Sequence, residues 1–257
     1  MNFRGIGILA LASGLLGPVH SGLATAVLPI NPGKAKEFVL DPGHSPGKPG
    51  AESCSGTYEY IYNNNLVSTI MEYLGALAIQ AEVTRSPDGE VSLEERARFS
   101  VGKKLFIAVH HDSAQKQFIK QVKGHPCSNK AEGFSIFVSG ENEFFQESLA
   151  AARVLGQSLR NSGLSPSRHH GEKIQGENRK LLDENLGIYL FDDLVVLKKA
   201  QSPALLLEAG VIINPVDDDR VKTKAYQLKI AEAVAEAMKF ARFQSLGSPS
   251  PGEHGLH

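Results

Sequence analysis

Two histidines and two glutamates stand where an α/β protein gathers its chemistry. Short apolar runs lead into Asp41-Pro42-Gly43-His44, into His110-His111-Asp112 and into Glu208, and Glu59 lies between the first two at the mouth of a long helical pattern. In α/β sheets, ligands collect at the loops that follow the C-terminal ends of strands. Two imidazoles and one carboxylate with a coordination position left open form the ligand set of a catalytic zinc, which polarises a carbonyl and lowers the pKa of its water to about 7. The remaining glutamate is then free to act as a base. The bland alternative is that lone His and Glu residues at loop mouths are polar surface groups, which on spacing alone is the commoner case. Glu52 is the nearest competitor to Glu59; it sits in a Gly- and Ser-rich loop with no helix start behind it and is expected to face solvent.

The elements that must position these residues follow from periodicity. Residues 38–40, 81–84, 105–109, 133–138 and 204–208 read as extended, and residues 64–77, 93–101, 143–161 and 221–243 as helical. In the last helix Leu228, Ile230, Ala231, Val234 and Met238 fall on one stripe. The alternation predicts an α/β fold: a single domain with a mixed, mostly parallel central sheet and helices on both faces. Residues 165–187, with His169-His170-Gly171-Glu172-Lys173 and Gly176-Glu177-Asn178-Arg179, fit the alternation poorly and read as a long loop, functional or mobile.

Composition bounds the rest. With 27 basic and 28 acidic residues and a formal charge of −1, no strong field draws the chain to nucleic acid or an anionic membrane, so neither is an expected partner. Residues 1–26 read as an export signal, with Arg4 in a short positive region, an apolar run over 6–16, and Ala24-Thr25-Ala26 as small residues before cleavage. That run is too short to span about 30 Å of hydrocarbon. The expected organisation is therefore a signal peptide over 1–26, a linker over 27–36, a catalytic domain over 37–244 and a flexible tail over 245–257. No second domain is evident, so any wall-anchoring module is expected in a separate protein. The expected location is the periplasm or the extracellular space, with no membrane span in the mature chain. Cys54 and Cys127 can pair in an oxidising compartment, and the sequence leaves one bridge and two free thiols equally open.

The residues also resemble a known family. The segment Val39-Leu40-Asp41-Pro42-Gly43-His44 is similar to the opening motif of the type 3 zinc N-acetylmuramoyl-L-alanine amidases, which hydrolyse an amide bond in bacterial peptidoglycan. Glu59 followed by Asn63 resembles their second-ligand motif, Val83-Thr84-Arg85 and Glu94-Glu95-Arg96 their framework motifs, residues 106–114 their second histidine motif, and residues 205–214 their terminal catalytic motif. The similarity runs over most of 37–243 in the family's order, and several motifs in register are far more specific than any one.

What the resemblance implies is one Zn²⁺ per chain on His44, Glu59 and His110, with Glu208 as the catalytic general base and acid and peptidoglycan or muropeptides as substrate. His110 rather than His111 matches the ligand position. His111 is expected to support the metal or face substrate, and Asp41 to orient the loop or a histidine ring. Asn214, Arg168 and His170 are candidate substrate contacts, with His169, Glu177 and Arg179 beside them if residues 165–187 fold over the groove. For these loop residues a solvated charged surface is the favoured expectation. Arg85 and Arg96 are expected to pair with nearby carboxylates such as Asp88. The sequence departs from the family at His111, at Val211-Ile212-Ile213 and in the length of 165–187. A protein activator is a further candidate partner, and a monomer is expected. In some family members a helix covers the metal, but no acidic helical insert is evident between His111 and Gly133. The rival readings are a zinc peptidase acting on free peptides and a wall-binding protein without catalysis.

Overall fold

A computed structural model describes residues 35–247; the export-signal pattern over 1–26, the first residues of the linker and most of the C-terminal tail lie outside the described residues. In chain order the elements are β1 (Phe38–Pro42), α1 (Glu59–Ala76), β2 (Ala81–Val83), α2 (Leu93–Arg98), β3 (Leu105–Asp112), β4 (Lys120–Val122), β5 (His125–Cys127), β6 (Ser135–Val138), α3 (Phe145–Asn161), β7 (Leu181–Asp183), β8 (Ile188–Leu190), α4 (Val195–Lys198), β9 (Ala204–Val211), α5 (Pro215–Val221) and α6 (Lys224–Gly247).

Seven strands form one sheet in the order β2-β1-β3-β9-β6-β8-β7, and β4 and β5 form a separate hairpin. Strands β2, β1, β3 and β9 are parallel, β6 runs antiparallel to β9, β8 is parallel to β6, and β7 is antiparallel to β8. The expected α/β class and mixed, mostly parallel sheet are what the chain adopts.

The two faces of the sheet have different work. Because side chains alternate along a strand, Phe38, Leu40, Leu105, Ile107, Val109, Leu205 and Leu207 pack with α1, α3 and α6 into the larger core. Along α1 the buried residues Tyr62, Leu66, Ile70 and Leu74 recur every fourth position, the single stripe a helix needs to lie on a sheet. The intervening residues Val39, Phe106, Ala108, Leu206 and Phe137 build a smaller core with Tyr189, Val196 and Leu197, covered in part by α4. Continuing that second face past its apolar residues brings Asp41, His110 and Glu208 to the C-terminal ends of adjacent parallel strands.

Several local expectations change. Helix α1 starts at Glu59 rather than at 64, because its first turn buries polar residues, Glu59 and Asn63, that interrupt the apolar periodicity. The helix expected over 221–243 is α6, shifted to Lys224–Gly247, and a short helix that was not expected, α5, precedes it, capped by Asn214 accepting from the Val216 N–H with Pro215 following. Leu228, placed on the apolar stripe by periodicity, is 40% exposed. Residues 165–187 are not a free loop; they hold the short strand β7, which pairs with β8 at the sheet edge. Among the described residues no helix is long and apolar enough to cross a membrane.

Cys54 and Cys127 are bonded, which joins the loop before Glu59 to the β4–β5 hairpin. The bridge closes a sequence separation of 73 residues, for which loss of unfolded-chain entropy gives about 4 kcal/mol. A Cys54→Ser/Cys127→Ser chain should therefore lose about 2–4 kcal/mol of unfolding free energy, read from urea denaturation with the slope fitted separately for each chain, since the freed unfolded state exposes more surface.

Candidate active site

His44 follows β1 in a tight turn closed by the Ser45–Lys48 backbone pair, and it has φ +61°, a conformation that non-glycine residues seldom take outside a site that requires it. The turn is held by two buried guanidiniums. Arg96 donates to the carbonyls of Pro42 and His44, both at 2.9 Å, and to Asp41 Oδ1 at 3.3 Å. Arg85 donates to the carbonyls of Pro42 at 3.2 Å and Gly43 at 3.1 Å, and to Ser86 and Pro87 beyond. The expected carboxylate pairing holds for Arg96, with Asp41 in place of Asp88, while Arg85 is held by backbone carbonyls. Asp41 is buried; it accepts from Thr84 and Arg96 and secures the loop rather than a histidine ring.

The turn and the end of β3 converge on Glu59. His44 Nε2 stands 3.1 Å from Glu59 Oε2 and His110 Nδ1 3.0 Å from Oε1, with the two rings edge-on at 5.0 Å between centroids. The Ala51 N–H donates to Oε2 at 3.1 Å, and the His111 N–H and Asn63 Nδ2 donate to Oε1, both at 3.3 Å. Burial by itself raises the Glu59 carboxyl, but the hydrogen bonds and charge of His110 and His44 outweigh it and hold the group well below the usual carboxylate range. For His44 burial works against protonation, and Glu59 more than compensates, so its pKa is raised.

This donor set suits a zinc ion. One ligand atom from each of His44, Glu59 and His110 lies within 4.8 Å of the others. His44 Nδ1 faces the Lys48 carbonyl at 3.2 Å, which directs the Nε2 lone pair into the cluster. The space is held open by missing side chains. A Cβ on Gly43 would stand 2.2 Å from the His110 ring, and one on Gly50, at φ +77°, 2.4 Å from Glu59 Oε2. A cleft of about 490 Å³ opens on the His44 and His110 rings and runs between β1, α2 and α4 past Lys48, Glu90 and Leu194.

Glu208 pairs in register with His110 on the neighbouring β3 and with Ser135 on the antiparallel β6. Its Oε2 is buried without a hydrogen-bond partner in the protein. Burial first, then the negative charges of Asp112 and Glu59, push its pKa well above the ordinary carboxylate value. A carboxyl whose pKa is raised in this way binds a proton more readily, which suits a group that takes up and passes on a proton.

Of the remaining expected site residues, His111 backs the cluster through Glu59 and Asn63, while Asn214 and Arg168 lie away from it. His111 points to the opposite face of β3, where Nδ1 meets Asn63 Oδ1 at 2.8 Å and the ring packs on Tyr62; burial takes its pKa down to about 4. Asn214 is buried as the α5 cap and donates to the Ala131 carbonyl at 2.9 Å. Arg168 is 60% exposed and pairs with Glu184. Glu52 is half-buried and accepts from His125 at 2.8 Å instead of facing solvent. None of these four lines the cleft.

His170 is buried, with Nε2 2.7 Å from Asp112 Oδ2 and Nδ1 2.9 Å from Glu177 Oε2, and Arg179 donates to the same Glu177 oxygen. Burial disfavours the charged ring, but Asp112 and Glu177 together raise its pKa to about 9. The same His170 contact outweighs burial at Asp112 and lowers that carboxyl. This cluster, Asp112, His169, His170 and Glu177, was not assembled from the sequence, although the adjacent histidines and the acid closing β3 were visible there.

A family model described as N-acetylmuramoyl-L-alanine amidase matches residues 38–239. The probable cell wall amidase LytH of Staphylococcus epidermidis is 27% identical over 214 residues, covering 82% of this chain and 60% of that protein. Its namesake in Staphylococcus aureus is 26% identical over 212 residues, covering 81% and 59%. The chain thus spans about 60% of the length of the named relatives it matches. Among solved structures, the N-acetylmuramyl-L-alanine amidase Ami1 of Mycobacterium smegmatis superposes with a TM-score of 0.64 at 21% identity, over 80% of this chain and 96% of that one. The CwlD amidase of Clostridioides difficile, solved in complex with the GerS lipoprotein, gives 0.61 at 18% identity over 82% and 100%. At these identities the structures establish the shared fold.

Two outcomes follow from the geometry. Gly43→Ala should displace the His110 ring and lower zinc affinity roughly 10–100-fold, as measured by competition with a chromogenic chelator. Because the folded pKa of His170 is raised to about 9 from the ordinary 6.5, its contribution is complete below pH 6.5 and is lost as pH rises through about 9. Urea denaturation of the metal-free chain should show a loss of up to about 3 kcal/mol between pH 6 and 9.5 that His170→Gln removes.

Proposed function

The chain belongs to the N-acetylmuramoyl-L-alanine amidase family, and from that membership we propose that it hydrolyses the amide bond between N-acetylmuramic acid and L-alanine in peptidoglycan. The observation that carries the reading is Glu208: a half-buried carboxyl in register with His110, its Oε2 without a hydrogen-bond partner in the protein, on the sheet end that carries the three convergent metal donors. His44, Glu59 and His110 would hold one Zn²⁺, which when bound supplies a Lewis acid for the scissile carbonyl and water of lowered pKa.

The chain's own residues do the rest. Glu208 accepts a proton from the attacking water on its free oxygen and returns it to the departing alanine nitrogen. Its raised pKa favours the second of these steps, since a carboxyl that holds a proton can deliver it to an amine as the C–N bond breaks. Arg96 and Arg85 keep the His44 turn from relaxing, so the imidazole stays aimed while substrate enters the cleft. The cleft falls within the roughly 300–1,000 Å³ of small-molecule sites and is large enough to seat part of a muropeptide.

Export belongs to the same reading, because the substrate lies outside the cytoplasm; Arg4, the apolar run over 6–16 and Ala24-Thr25-Ala26 support it. A partner protein belongs to the same reading, since the CwlD neighbour was solved in complex with a lipoprotein.

Incubation of the purified chain with defined muropeptides, with and without chelator, tests the assignment by product mass. Stem peptide with a free L-alanine amino terminus, formed with zinc and absent with chelator, is the expected result. Cleavage only between amino acids would replace it with the peptidase reading. Glu208→Gln should reduce kcat/KM by about 10²–10⁴ while zinc content is unchanged.

A further inference from the structure

Asp112 closes β3 two residues beyond His110, at a strand rise of about 3.3 Å per residue. Facing it are His169 and His170 from a short 3₁₀ turn in residues 165–187. One ligand atom from each of the three lies within 4.8 Å of the others, the same His₂-carboxylate composition as the cluster of His44, Glu59 and His110. The amidase reading makes no use of it.

The outer contacts are those that orient metal-binding histidines. His170 Nδ1 is hydrogen-bonded to the Glu177 carboxylate at 2.9 Å, and Glu177 is itself held by Gln115 at 2.8 Å and by Arg179. His169 Nδ1 stands 2.8 Å from Ser167 Oγ. With Nδ1 of each ring engaged on an outer partner, both Nε2 atoms face Asp112 Oδ2, at 2.7 Å for His170 and 3.4 Å for His169. His169 is 6% exposed, and its Nε2 is buried with no hydrogen-bond partner in the protein. A single proton between His170 and Asp112 leaves that nitrogen unsatisfied, at the cost of a buried polar group without a partner. One divalent cation satisfies all three atoms at once.

We propose that Asp112, His169 and His170 form a second metal site, for Zn²⁺ or a divalent ion of similar ligand preference, which clamps residues 165–187 to the end of β3. Two imidazoles and a carboxylate select borderline transition metals over Mg²⁺ or Ca²⁺, which take oxygen donors. The rings are backed by Phe137 at 4.9 Å and Tyr189 at 5.6 Å from His170, so the site sits on the smaller core rather than in a free loop. This site stands apart from the amidase reading, and its test does not depend on turnover.

The metal-stripped chain is titrated with Co²⁺, following visible d–d absorption and bound stoichiometry. Two equivalents are expected in the unmodified chain. One is expected in His169→Gln and in Asp112→Asn, and one in a His44→Ala/His110→Ala chain, with circular dichroism confirming the fold. An unmodified chain whose bound Co²⁺ is all retained in His169→Gln and Asp112→Asn, whatever its stoichiometry, overturns the proposal.

Discussion

A carboxylate taken out of water must be compensated where it lies, because an isolated buried charge costs several kcal/mol even after the protein relaxes. Glu59 is that carboxylate, and much of the surrounding architecture compensates it. Two imidazoles, two backbone N–H groups and the Asn63 amide converge on its oxygens. These five donors come from four places: the turn after β1, the end of β3, the loop before α1, and α1 itself. The first turn of α1 is polar and buried for this reason. The His44 turn takes a left-handed conformation for the same reason, supported by Arg96 and Arg85 on the carbonyls of residues 42–44. A bound cation would stabilise the same arrangement, so metal affinity and local order are expected to be coupled.

The sheet divides labour between its faces. On one, apolar residues from β1, β3 and β9 pack beneath α1, α3 and α6. On the other, the apolar residues stop short of the C-terminal ends, and polar ones replace them: Asp41, His110 and Glu208. Strand alternation decides the fate of the adjacent histidines. His110 faces the cluster, while His111 turns to Tyr62 and Asn63 and fixes the amide that steadies Glu59. The two thus serve one site from opposite faces of a strand.

Residues 165–187 close the same end of the sheet from the β6 side. Their charge and glycine content suggest a solvated loop, and Arg168 does point outward. The segment nevertheless buries His169 and His170 against Asp112 and Phe137, and Tyr189 ties it down through the Ser167 carbonyl. On the opposite side the Cys54–Cys127 bridge anchors the β4–β5 hairpin to the loop that leads into Glu59. The reacting end of the domain is thus flanked by two segments held by specific polar or covalent links rather than by core packing.

The alternation of short apolar runs with helical stripes was enough to read the α/β class, and the polar residues ending three runs pointed to His44, the His110-His111 pair and Glu208, with Glu59 at the helix mouth; the choice of His110 within the pair came from the family resemblance. Those features are local: a strand's period and its last residue are written in consecutive positions. What was not legible depended on which strands are neighbours and which segments meet across them. Asn214 reads as a candidate substrate contact, and only the start of α5 after it shows its side chain taken up as a helix cap. Strands β7 and β8 are three residues each, too short to carry a period. Glu52 finds His125, and His170 finds Asp112 58 positions away, only once the chain has closed those loops. Periodicity states which way a side chain faces. The sheet order, set by packing of the whole chain, states what it faces, and that second relation decides which histidines and carboxylates become a site.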